Sequence, residues 1–190
     1  MHRRVLLPIV GTSLTLLALG VTAGDDRHHS SFRAFADLVP TQEVPALSSG
    51  ASGRFKATID RANQTISYEL SYEGLEAAPL QAHIHVGQRR VNGGISVFLC
   101  GNPPNVPPAT FPQPQPCPAS PATITGVLTA ANIVGPDPQG IAPSVGTVNE
   151  FDELVEMIRS GLTYANVHSD KFKGGEVRGQ VHTDERHGKH

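Results

Sequence analysis

Between residues 54 and 72, apolar and polar side chains alternate with a period of two. Phe55, Ala57 and Ile59 are interleaved with Arg54, Lys56, Thr58 and Asp60, and Ile66, Tyr68, Leu70 and Tyr72 with Ser67, Glu69 and Ser71. Successive strand side chains point to opposite faces, so each run predicts a strand with one face in a core and one in water. The turn-forming run Asp60-Arg61-Ala62-Asn63 between them makes the pair an antiparallel hairpin. A slip of one residue would turn every apolar group outward, which fixes the register. The same period begins at Phe32 and returns at 80–86, 95–99, 122–129, 162–168 and 176–183.

One stretch departs from this rhythm. Phe151, Leu154, Val155 and Ile158 recur at helical spacing and predict a short amphipathic helix over about 150–160. Thr147 or Asn149 can cap its start, acidic side chains occupy its first turn, and Gly161 can end it. Before it, Pro136, Pro138 and Pro143 exclude helix or central strand from 135–145. About eight short strands, one helix and no internal repeat predict an all-β fold. The expected architecture is an antiparallel Greek-key β-sandwich or flattened barrel.

Composition sharpens this picture. Lys and Arg number 15 against 17 Asp and Glu, for a formal charge of −2, and the basic residues do not cluster, so a nucleic-acid footprint is missing. With 19 Gly, 16 Pro and no Trp, the chain suits strands joined by turns and not a helical bundle. At the start, Arg3 and Arg4 precede an apolar stretch at 5–19, and Val21-Thr22-Ala23 places small residues where a signal peptidase reads. The stretch falls short of the roughly 20 residues of a membrane span and runs into Asp25-Asp26. Residues 1–23 therefore read as a cleaved signal peptide, 24–31 as a flexible segment, 32–183 as one β domain and 184–190 as a disordered, His-rich tail. Export delivers the protein to the cell envelope or beyond, without an integral membrane segment after cleavage. Two arginines alone do not separate the general route from the twin-arginine route.

The two cysteines, Cys100 and Cys117, bracket a run of Pro, Asn and Gln with few groups able to fold by their own contacts. In an exported chain the default is a disulfide, which contributes about 3 kcal/mol by restricting the unfolded state. The rival reading, two thiolate metal ligands, lacks Cys-x-x-Cys spacing.

Candidate chemistry rests on histidine parity. In Gln81-Ala82-His83-Ile84-His85-Val86-Gly87, His83 and His85 share one face of a strand. In Tyr164-Ala165-Asn166-Val167-His168, Asn166 and His168 share another. In 176–183, Glu176, Arg178, Gln180 and His182 form a third polar row. If the three strands pair in one sheet, His83, His85 and His168 converge, with His182 or Glu176 as fourth donor. Neutral imidazole is a good ligand for copper and zinc alike. The plainer reading makes Asn166, Glu176, Arg178 and Gln180 a structural polar row, with Glu176 paired to Arg178 and the histidines hydrogen-bonded or facing solvent. His28, His29, His187 and His190 belong to the flexible ends.

Taken together, Gln42-Glu43-Val44-Pro45, Ala51-Ser52-Gly53-Arg54-Phe55, Ile66-Ser67-Tyr68-Glu69-Leu70, Ala82-His83-Ile84-His85-Val86-Gly87, 164–168 and 174–180 resemble the CHRD (chordin-type) domain family over roughly 34–183. The resemblance implies an extracellular module without a general catalytic activity. Stand-alone secreted members occur in bacteria, and the Pro-rich insertion between the cysteines looks like a variant of that type. The cysteine-rich repeats that accompany the module in chordin are missing, so growth-factor binding does not carry over. A His-x-His strand in a β-sandwich with one disulfide is also similar to copper-zinc superoxide dismutase. Residues 92–119, however, contain none of the His and Asp of that family's zinc loop.

Two functions of different classes follow. The first is a secreted protein that binds copper or zinc through strand histidines. The second is a non-catalytic adhesion or interaction module with a partner outside the cell or in its envelope; a dismutase-like redox enzyme is a minor alternative. Nucleophile chemistry is disfavoured, because no Gly-x-Ser-x-Gly elbow occurs and both cysteines are expected to be bonded.

Overall fold

The structure, a computed structural model, describes residues 31–184. The expected signal peptide, nearly all of the expected flexible segment, the tail after Asp184, and His28, His29, His187 and His190 lie outside the described residues.

Nine strands and one helix form in the order β1 (Ser31–Leu38), β2 (Ser52–Asp60), β3 (Thr65–Glu73), β4 (Pro79–Val86), β5 (Ile95–Gly101), β6 (Ala122–Thr129), α1 (Phe151–Arg159), β7 (Thr163–Ser169), β8 (Val177–Gln180) and β9 (His182–Thr183). One sheet has the order β6-β3-β2-β1-β9 and the other β5-β4-β7-β8, with all neighbours antiparallel. The two are layers of a sandwich; no closed barrel forms. The hairpin pairs Ser52 with Glu73 through Asp60 with Thr65, so the apolar residues of both strands face inward together.

Alternation along the strands fills the space between the sheets. Phe32, Ala34, Ala36 and Leu38 from β1, Phe55 and Ile59 from β2, and Ile66 and Leu70 from β3 pack toward Ala82, Ile84, Val97, Leu99, Ala165, Val167 and Val177. Two buried tyrosines have their hydroxyls satisfied. Tyr68 donates to the Leu99 carbonyl at 2.5 Å and Tyr72 to that of Pro118 at 2.6 Å. The helix buries Phe151, Leu154, Val155 and Ile158, each contributing about 1.5–3 kcal/mol on leaving water. Neither candidate cap stands at the N-cap, which is Glu150; Asn149, one position earlier, has its Oδ1 accepting from the Phe151 N–H at 3.1 Å. Cys100 and Cys117 are disulfide-bonded, joining the end of β5 to the segment that leads into β6.

The number of strands exceeds expectation because 176–183 is divided. β8 pairs with β7 in one sheet, and two residues later β9 pairs with β1 in the other. Val181, buried in the core at the crossing, donates its N–H to the Thr163 carbonyl at 2.9 Å. Asp184 accepts from both the backbone N–H and Nε of Arg33, so the contacts of the fold continue past Thr183.

Candidate metal centre

The outer face of the four-stranded sheet carries the polar rows. His83 and His85 project from β4, Tyr164, Asn166 and His168 from β7, and Arg178 and Gln180 from β8. The pairing sets His85 opposite Tyr164, His83 opposite Asn166 and Gln81 opposite His168, and then Tyr164 opposite Gln180 and Asn166 opposite Arg178. Between β4 and β5 the register shifts at Ala82/His83 and again at Ile84/His85. Such irregularities re-aim side chains.

An outer face is ordinarily wet, and this one is not. His83 is fully buried, while His85 and His168 are 7% and 6% exposed. Loop segments lie across them, held by the polar row itself. Arg178 donates to Asn92 Oδ1 at 3.0 Å and to the carbonyls of Val91 and Gln88. Gln180 donates to the carbonyls of Gly87 and Gly161. A Cβ on Gly93 would fall on the Val86 carbonyl oxygen, so only glycine lets this loop lie so close to β4. The Gly93 carbonyl thereby reaches His85 Nδ1 at 2.9 Å.

Each imidazole is oriented. His85 Nδ1 donates to the Gly93 carbonyl and His168 Nδ1 to that of Lys173, both at 2.9 Å, which puts the lone pair of each ring on Nε2, unpartnered in His85 and within hydrogen-bond reach of His83 in His168. His168 Nε2 lies 3.2 Å from His83 Nδ1. One ring nitrogen from each of the three residues lies within 4.8 Å of the others. Nitrogens bound tetrahedrally to one zinc or copper at about 2.0–2.1 Å would be separated by about 3.3 Å, so the rings must draw in by up to about 1.5 Å to close the set. Nε2 of His83 and of His85 has no hydrogen-bond partner. Buried acceptors without a donor fit a bound cation.

The electrostatics keep these rings ready to coordinate. Burial holds the His83 pKa well below the usual histidine range, with further lowering by His168 and His85. Burial brings His85 down to about 4 despite its bond to Gly93, and burial also lowers His168. All three are neutral at pH 7. Tyr164 stacks on His85 with 4.7 Å between centroids and 3° between planes. The guanidinium carbon of Arg178 lies 3.4 Å from the Tyr164 ring centroid. The pile of Arg178, Tyr164 and His85 fixes the ring plane as the carbonyl fixes its tautomer.

Of the sequence-predicted residues, His83, His85 and His168 come together and the two fourth-donor candidates stand apart. His182 is exposed on β9 in the other sheet, its ring 6.2 Å from Phe35, because the chain changes sheets at Val181. Glu176 is fully buried, and its Oε1 accepts from Ser49 Oγ at 2.8 Å and from the Glu76 N–H at 2.9 Å. The expected pairing of Glu176 with Arg178 is replaced by the bonds of Arg178 to the 88–92 loop. Asn166, Arg178 and Gln180 do form a buried polar row.

Two contributors escaped sequence reasoning. Tyr164 reads as an ordinary strand aromatic. Glu43 lies 40 or more positions from His83, His85 and His168, and its place in the Gln42-Glu43-Val44-Pro45 stretch marks the family resemblance without pointing to the site. It is 6% exposed, and burial pushes its carboxyl up to about 7 against the opposing pull of Arg178.

The family model described as CHRD domain matches residues 34–181. No curated protein and no solved structure matches the chain.

Proposed function

We propose that this chain, which belongs to the CHRD domain family, is an exported protein that holds a copper or zinc ion through His83, His85 and His168. The observation that carries the reading is the convergence of three buried, neutral imidazoles, two of them aimed by Nδ1 bonds to backbone carbonyls. That is how proteins hold metal-ligating histidines. Three nitrogen donors suit either ion. In the same reading, residues 1–23 direct export and 32–183 form the working domain, which the bonds of Asp184 to Arg33 extend by one residue. The disulfide agrees with an oxidising compartment, and no helix among the described residues is long and apolar enough to cross a membrane.

The test loads purified protein with Zn(II) or copper, removes excess, and measures bound metal for wild type and His83→Ala. Wild type is expected to retain metal and to melt at a higher temperature than after chelation, by linkage; His83→Ala loses both. Equal metal content in the two proteins rejects the proposal.

A further inference from the structure

Three imidazoles leave a tetrahedral ion one donor short. Among the described residues no Asp, Glu or Cys joins the group of three histidines. Among the strand residues of this face, one further side-chain oxygen is buried without a hydrogen-bond partner, Asn166 Oδ1. Asn166 is 2% exposed, stands opposite His83 in the pairing of β4 with β7, and precedes His168 by two positions on the same face. Its side-chain amide is close enough to lower the pKa of the Glu43 carboxyl on one side and to raise that of the His85 ring on the other. Glu43 and Asn166 Nδ2 crowd the same space over Gly175, where an added Cβ would lie 2.7 Å from Glu43 Cδ and 2.9 Å from Nδ2.

Nδ2 is the amide atom that stands beside Glu43 over Gly175, which leaves Oδ1 as the atom on the side of the imidazoles. There Oδ1 meets no donor. The Nδ1 proton of His85 is committed to the Gly93 carbonyl, and neither His85 Nε2 nor Asn166 Oδ1 has a hydrogen-bond partner. Buried acceptors left without a donor are costly unless a cation lies beside them.

Resting on the metal reading above, we propose that Asn166 Oδ1 is the fourth donor of the centre and that Glu43 is the residue that positions it. Three nitrogens and one amide oxygen make a closed site, of the kind that holds an ion and does not turn over a substrate. The oxygen adds to affinity for a divalent ion and little to affinity for Cu(I), which three imidazoles satisfy without it.

The test has two arms. In the first, ¹⁵N-labelled wild-type protein is titrated with Zn(II), and the side-chain amide resonance of Asn166 is expected to shift as the ion binds. In the second, Zn(II) and Cu(I) affinities are measured by competition with chromophoric chelators. Asn166→Ala is expected to bind Zn(II) about tenfold more weakly or worse, with Cu(I) affinity little changed, and Glu43→Gln to show a smaller loss of the same selectivity. An unmoved Asn166 resonance, or equal Zn(II) affinity in wild type and Asn166→Ala, overturns the fourth donor and leaves the histidine site standing. Glu43→Gln indistinguishable from wild type overturns the positioning role. Wild type that takes up neither zinc nor copper overturns this inference and the parent reading together. Should Asn166→Ala fail to fold, the wild-type resonance alone decides the fourth donor.

Discussion

At Gly175 the backbone adopts φ +122°, a conformation that side chains rarely tolerate, and the space a Cβ would take is already filled by Glu43 and Asn166 Nδ2. Gly175→Ala therefore combines backbone strain with eviction of a buried carboxyl. We expect a loss of roughly 2 kcal/mol or more, seen as a lower urea midpoint with unchanged slope. A variant as stable as wild type would show that Glu43 moves aside freely. At this scale the sequence was partly legible. Strand parity gave His83, His85 and His168 one outward side each, because side-chain direction along a strand follows from count alone. It could not supply Glu43 or the Gly93 carbonyl, since both reach the site from loops.

Elements were more legible than their connections. The β2–β3 hairpin and α1 are set by patterns within a dozen residues, and both formed where those patterns lie. The division of 176–183 left no trace, because Val177, Gly179, Val181 and Thr183 keep one phase while the strand passes from one sheet to the other. Alternation reports which side faces the core and not which sheet a residue has joined; His182 was misplaced for that reason. The Pro-rich segment between the cysteines illustrates how a stretch without periodicity is held. Asn102 Nδ2 donates to the carbonyls of Pro79 and Cys117, and its Oδ1 accepts from the Cys117 N–H. The disulfide closes 17 positions of chain. Replacing both cysteines with alanine is expected to lower stability by about 3 kcal/mol, read by denaturant unfolding under non-reducing conditions. A loss below about 1 kcal/mol would mean that the Asn102 bonds alone suffice.

For the whole molecule, the stacking of two sheets was predictable from pattern, and the burial of an outer sheet face was not. That burial gives the metal-free protein a distinctive response to pH. The three histidines are neutral when folded and start from 6.5 when unfolded. As pH falls below 6.5, the unfolded chain takes up protons that the folded one refuses, and stability drops by up to about 1.4 kcal/mol per pH unit for each group. Glu43 runs the other way. Its carboxyl rises from 4.5 to about 7 on folding, so its contribution is complete below 4.5 and is lost as pH rises through 7. Between pH 4.5 and 6.5 one acid opposes three bases, so stability measured with chelator present should climb with pH. Glu43→Gln removes the opposing slope and should make the climb steeper. Urea midpoints taken across this range for both proteins check the point, and parallel curves would show that Glu43 does not titrate there.

The loop pinned over the histidines by Arg178 bears on timing as well as on affinity. With the rings roofed over, an ion held as proposed would arrive or depart only in the moments when the roof lifts. Its residence would then be set by the lifting of that loop as much as by the strength of the bonds beneath it, and the ion would outlast brief changes in the surrounding supply.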